Sequence, residues 1–450
     1  MANESEPSST KTPVVPLLLG HPIGFFFFFW GEFAERCSYY GMRAILPRYL
    51  KEVIELDDSV YYWWKMACYG LPLLGGFLAD RYFGKYRTIV WFSVPYIVGH
   101  FILGFSSPVA VMIALALLAG GSGVIKPNIS TLMGMTYDQQ MPGQTQLRSS
   151  AFLWFYFSIN IGALISTLTL PFMRDKLGYA IAFQFPAWLM VASLAAFASG
   201  KPYYAKETLN YQPPTPEERR ERTATLGRLF GIFALVVLFF VPYEHNDGVW
   251  VFFIRDYVNL KLPFSGTELP PDLLQSINPL CVIIFAPLFG WLFPILDPQA
   301  RIFTAKNKIM LGFLCGVLSS GLMCAAGYLS NPDVKISMLW VIFAYILLTI
   351  GEVLVYGTGL EMAFAEAPAS MKSFITGCFL LTSTLANFVN TVWVKFYGGS
   401  LTDDASKRGS MSPGLFFGLS GLFVLAALLI MLIMKRDSKP AETDEQVIEL

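Results

Sequence analysis

Between Ile23 and Leu46 the chain runs almost without interruption through apolar residues, yet Glu32, Glu35 and Arg36 stand inside that run. A charge at the centre of a bilayer costs about 2.5–3.5 kcal/mol on insertion scales. Three such residues within one turn and a half need a common purpose. Glu32, Glu35, Arg36, Tyr39, Tyr40 and Arg43 fall at i, i+3, i+4, i+7, i+8 and i+11, one stripe of a 3.6-residue helix. The stripe is polar and the remaining faces are apolar, the reverse of a helix on a soluble core. Such a helix turns its back to lipid and its stripe to a wet cavity, and Glu32 with Arg36 forms an i,i+4 pair that offsets part of the desolvation. A structural ion pair between two membrane helices needs fewer groups than two carboxylates, two guanidiniums and two phenols on one face.

Composition agrees. Of 450 residues, 54% are hydrophobic and only 14% charged, against about 25% charged in soluble domains. A spanning helix takes about 20 residues. Apolar runs of that length recur at 20–50, 60–80, 88–105, 109–136, 148–172, 179–199, 229–254, 272–296, 308–329, 337–365, 373–397 and 413–434. The reading is an all-α membrane protein of twelve transmembrane helices. One long hydrophilic stretch divides them six and six. The expected divisions are an N-terminal six-helix bundle over 1–200, a cytoplasmic linker over 201–228, a second bundle over 229–436 and a polar tail over 437–450.

Net charge is zero and no basic block invites nucleic acid. The six cysteines lie in apolar runs without metal-ligand spacing, and read as small core residues; no metal is expected. No nucleophile with an adjacent base or phosphate loop appears, so the chain is not read as an enzyme. The first dozen residues lack a secretory signal pattern. Arg81, Lys85 and Arg87, then Arg219, Arg220 and Arg222, then Arg301, Lys306 and Lys308 fall on one side of the alternating spans. The positive-inside rule makes that side cytoplasmic, with both termini on it.

Further polar groups punctuate the spans. Lys126 lies at membrane depth beside Pro127, and reads as a switchable partner for Glu32 or Glu35. Asn160 and Asn278 read as interhelical hydrogen bonds or as substrate contacts. Glu244, His245 and Asp247 cluster in the seventh span, His245 as a proton relay or a helix-end hydrogen bond. Glu352 has no cation near it on its own helix.

GGFLADRYFGKYR, Gly75 to Arg87, resembles the GGxxADRxxGRR signature of the major facilitator superfamily, with Tyr86 for an Arg. That resemblance implies two six-helix bundles around a midplane site, and a cytoplasmic gate motif at Gly76, Asp80, Arg81 and Gly84. ExxERxxxY from Glu32 to Tyr40, GxGxxKPN around Lys126, FYxxINxGAL around Asn160, AFxxPA from Ala182 to Ala187, NP at Asn278, and the run from Trp340 to Glu352 follow in order. Together they resemble the proton-dependent oligopeptide transporter family. The resemblance implies import of di- and tripeptides with protons across a plasma membrane (a bacterial inner membrane, from the short loops), by a monomer without a cofactor. It places proton coupling on Glu32, Glu35, Arg36, Lys126 and Glu244, the last pairing with a cation of the first or fourth span. The peptide carboxylate would go to Arg36 and Lys126, with Tyr40, Arg43 and Tyr69 alongside, its amine to Glu352, and its backbone to Asn160 and Asn278. The chain departs from the family at Phe240, His245, Tyr356–Gly357 and Cys378, all adjoining the second half of the cavity. Alternative readings are symport of a non-peptide anion such as nitrate, or a membrane receptor that carries nothing.

Overall fold

A computed structural model describes residues 17–207, 215–262, 266–297, 301–331, 333–359, 362, 372–399 and 409–437. Thirteen α-helices dominate the described residues. In chain order these are α1 (Ile23–Arg48), α2 (Ser59–Leu78), α3 (Lys85–Leu103), α4 (Pro108–Gln140), α5 (Thr145–Leu177), α6 (Tyr179–Ser199) and α7 (Pro216–Tyr243). They continue as α8 (Val249–Tyr257), α9 (Ile277–Leu296), α10 (Ala305–Leu329), α11 (Leu339–Glu352), α12 (Lys372–Trp393) and α13 (Pro413–Asp437). Two dipeptide strand pairs, Leu17–Leu18 with His21–Pro22 and Val258–Asn259 with Ile336–Ser337, are the only sheets among the described residues. Seven helical stretches are long and apolar enough to cross a membrane on length and composition alone.

Packing follows the sequence halves. α1 lies against α5 and α6, α3 against α4 and α6, and α2 against α4. α10 packs on α11 and α13, and α7 on α12 and α13. The halves meet where α2 packs on α12, and where α5 packs on α9 and on the Pro271–Ser276 turn before it. Small residues set one of these distances. A Cβ on Gly75 would stand 2.6 Å from Val124 Cα, and one on Gly123 2.6 Å from Leu71 Cβ, so α2 and α4 cross at backbone contact. Gly76, read in the gate motif, faces open space and takes no part in that crossing.

In the hydrophilic stretch over 201–228, read as a linker that is partly an amphipathic helix, helix begins at Pro216, where Pro at the first helical position and glutamates in the first turn favour a helix start. One boundary differs from expectation. The seventh span, expected unbroken over 229–254, stops at Tyr243 and restarts at Val249. Between them Glu244, His245, Asn246 and Asp247 form a buried turn, closed by Gly248 at φ −125° and ψ −96°. A straight helix would spread these four side chains around its circumference; the turn gathers them. Glu361, a second acid in the span expected over 337–365, lies outside the described residues.

Candidate functional site

The polar stripe of α1 faces protein, not lipid. Glu32 and Glu35 are 1% and 2% exposed, whereas Trp30 on the opposite face is 56% exposed. Arg36 Nε lies 2.6 Å from Glu32 Oε1 and 2.8 Å from Glu35 Oε2, so one guanidinium serves two carboxylates. Tyr96 of α3 donates to Glu35 Oε1 at 3.2 Å. Lys126 does not pair with either acid, contrary to the sequence reading. Its Nζ stands 3.8 Å from the centre of the Tyr39 ring and 5.1 Å from that of Tyr69. The ring faces carry partial negative charge and hold the ammonium without neutralising it.

Two helical turns beyond Arg36 on α1, Arg43 Nη2 reaches Asp247 Oδ2 at 2.8 Å and Nη1 donates to the Tyr69 hydroxyl at 3.3 Å. Its guanidinium covers the Tyr40 ring at 4.9 Å. Glu244 was expected to pair with a cation of the first or fourth span. It pairs instead with Lys65 of α2, and accepts from Ser383 of α12. Lys65 also holds Asp247, at 2.8 and 3.1 Å. His245 turns away from both acids, its Nε2 3.0 Å from Asn390 Oδ1. The turn geometry thus makes His245 an interhelical hydrogen bond.

In the second half, Glu352 ends α11. Asn278 Nδ2 donates to its Oε2 at 2.6 Å and to Thr349 Oγ1 at 3.1 Å, and Tyr243 also hydrogen-bonds to it. Asn278 is therefore an interhelical tie that aims Glu352. Asn160 makes no interhelical hydrogen bond among the described residues: its Nδ2 returns to Tyr156 O of its own helix at 2.9 Å. Tyr40 lies within electrostatic reach of Arg36, Arg43 and Glu352, and Arg43 within reach of both Lys126 and Glu352. Tyr40, Arg43, Tyr69, Lys126, Asn278 and Glu352 are half-buried, while Glu32, Glu35, Arg36, Lys65, Glu244 and Asp247 are buried. The first set can meet a solute; the second is held by protein.

The sequence model of the POT family (PTR2) matches residues 86–220 and 215–401. The chain belongs to the POT family. It is thereby a multi-pass membrane protein of a transporter family. The uncharacterized transporter YclF of Bacillus subtilis is 26% identical, the match covering 98% of this chain and 99% of that one. Dipeptide and tripeptide permease B of Aliivibrio fischeri is 26% identical over 92% of this chain and 94% of its own. Against human solute carrier family 15 member 1, 28% identical over 66% of this chain, the match covers 50% of the relative. The crystal structure of an auto-inhibited POT family peptide transporter superposes with a TM-score of 0.79 at 25% identity, covering 95% of this chain and 99% of that one.

In this POT chain the stretch from Gly75 to Arg87 is ordered by short-range contacts. Asp80 accepts from Lys85 Nζ at 2.7 Å, Gly84 takes φ +75°, and the Arg81 guanidinium lies 5.9 Å from the Phe77 ring centre. Sequence reading missed Lys65, although a lone lysine in YYWWKMACYG carries the same signal as Lys126. It also missed Asp272, fully buried at the start of the Pro271–Ser276 turn. Arg174 of α5 pairs with Asp272, and Arg48 Nη1 lies 3.6 Å from it. Nothing local in the sequence marks that aspartate; its partners come from remote helices.

Proposed function

We propose that the chain is a proton-coupled symporter that imports di- and tripeptides across the plasma membrane. It works by alternating access between two six-span halves whose termini lie in the cytoplasm. The observation that carries the reading is a set of half-buried groups of opposite sign: Lys126 and Arg43 of the first half, which meet at Tyr69, and Glu352 of the second, aimed by Asn278. A zwitterion needs both poles; an inorganic anion needs only the first. The peptide-named relatives support the same substrate class.

The proposed cycle uses the geometry as it stands. Arg36 is shared between Glu32 and Glu35, so the cluster carries more acid than it has cation in contact. A proton entering on either acid releases part of Arg36 to the substrate carboxylate. Lys126, held among the described residues by the Tyr39 and Tyr69 rings, meets the same carboxylate, while Glu352 takes the amine. With these charges matched, the halves can close around the peptide and open on the other side. Peptide leaves, then the proton, and Arg36 returns to both acids.

The test is transport in proteoliposomes. Wild-type protein should concentrate a dipeptide when the outside is acidified, and unlabelled dipeptide, not nitrate, should compete. Glu35→Gln should lose concentrative uptake while retaining counterflow, and Glu352→Gln should lose peptide binding. Concentrative uptake by Glu35→Gln overturns the coupling assignment, and full peptide affinity in Glu352→Gln overturns the amine site.

A further inference from the structure

Two buried charge clusters lie along α1, and they differ in balance. In the first, Arg36 is the one cation among the described residues in contact with Glu32 and Glu35, with Lys126 acting on Glu32 at longer range. In the second, two cations of the first half, Arg43 and Lys65, contact two carboxylates of the second half, Glu244 and Asp247. Lys65 is wholly buried, and the Glu244 and Asp247 side chains are 4% and 2% exposed. The second cluster is therefore neutral with no proton bound, and it joins the halves at the end where α1 terminates.

We infer that Lys65 is a positioning residue and built-in counterion: it lets this end of the transporter close without taking up a proton, and so confines coupling to Glu32, Glu35 and Arg36. The inference rests on the symport reading and deepens it by removing Glu244 from the coupling set.

The surroundings are consistent. On α2 itself, Lys65 Nζ lies 5.4 and 5.9 Å from the Tyr61 and Tyr62 ring centres. From α1 it meets Asp247 together with Arg43. From the turn after α7, His245 is engaged by Asn390, and from α12 Ser383 donates to Glu244. From α11, Tyr345 and Glu352 act on Asp247 and Glu244 only at longer range. Opening separates Arg43 and Lys65 from Glu244 and Asp247, and water solvates each pair. Closing reunites two cations with two carboxylates, and no proton moves. Without Lys65, the closed cluster would bury one cation with two carboxylates. Closing would then draw one proton onto a carboxyl group, since a second uncompensated buried carboxylate is strongly disfavoured.

The experiment measures closure directly and needs no substrate. Nitroxides on Val53→Cys and Leu262→Cys, both exposed and on opposite halves at this end, report the gap by electron–electron distance measurement in full-length protein whose native cysteines are serine. Above the ordinary carboxylate range, where the Glu52 tie is intact, the closed population should be independent of pH in the otherwise wild-type protein. In Lys65→Met it should fall with rising pH, by up to about tenfold per pH unit, the slope of a one-proton equilibrium. Lys65→Met/Glu244→Gln retains Arg43 with Asp247 and should recover pH independence, and Lys65→Arg should match wild type. A flat profile for Lys65→Met, or a double variant as pH-dependent as the single one, overturns the inference. If Lys65→Met does not fold, a double variant that folds and still opens with rising pH overturns it as well. Dipeptide counterflow by the wild type in the same vesicles tests the transport reading separately.

Discussion

Lys126 shows how a membrane cation can be held ready. Its ammonium sits over the Tyr39 ring at 3.8 Å, and Tyr39 is fully buried. Ring contact of this kind contributes about 0.5–2 kcal/mol and leaves the charge available. Tyr39→Phe keeps the ring face and should leave stability in detergent close to wild type. Tyr39→Leu removes it and should lower the melting temperature by a few degrees, with a weaker response to added dipeptide; differential scanning fluorimetry with and without ligand measures both. Lys65 is the opposite case. Two carboxylates saturate it, so it organises helices and offers nothing to a solute.

At the scale of elements, the crossing of α2 and α4 depends on Gly75 and Gly123 and fixes where Tyr69 and Lys126 meet. Gly75→Ala places a methyl group within 3 Å of the Val124 backbone, so one helix must shift. Overpacking of this kind costs about 1–3 kcal/mol, and it should appear as reduced thermal stability and weaker peptide binding. Gly76→Ala, facing open space, should be neutral in the same melting assay. The break between α7 and α8 is the second decisive element. It places Glu244, Asp247 and His245 in one turn, from which two of them reach α2 and the third reaches α12.

Across the whole molecule, the end where α1 terminates is tied by polar contacts between the halves. Besides Asp247, Arg255 Nη1 lies 2.5 Å from Glu52 Oε1, Gln275 donates to Ala44 O at 2.9 Å, and Asp272 joins Arg48 and Arg174. Burial alone would raise the Glu52 carboxyl, but hydrogen bonds from Arg48 and Arg255 hold it below the ordinary glutamate range. A lowered value in the closed form means that the tie is fully present above that range and is lost as pH falls through the lowered value. Glu52→Gln should therefore raise the open population at neutral pH, and wild type should follow only under strong acid. The Val53–Leu262 distance reads both.

Much of this was written in the residues themselves. The buried stripe of α1 was legible because a 3.6-residue period puts Glu32, Glu35, Arg36 and Tyr39 on one face, and apolar flanks forbid that face to meet lipid. The second transporter half was legible only as spans, since period and hydropathy register helices but not which helices touch. Partnership between helices was the part sequence could not supply, whereas the Glu32–Arg36 pair within α1 was readable from its spacing. Lys126 met aromatic rings instead of acids, Glu244 met Lys65 instead of a cation of the first or fourth span, and Asp272 gained two arginines from helices remote in sequence. A buried charge demands a counter-charge, and that demand is local and readable. Which counter-charge answers it depends on helix rotation, on crossings set by glycine, and on a single break near Gly248, and those exist only once the chain has packed.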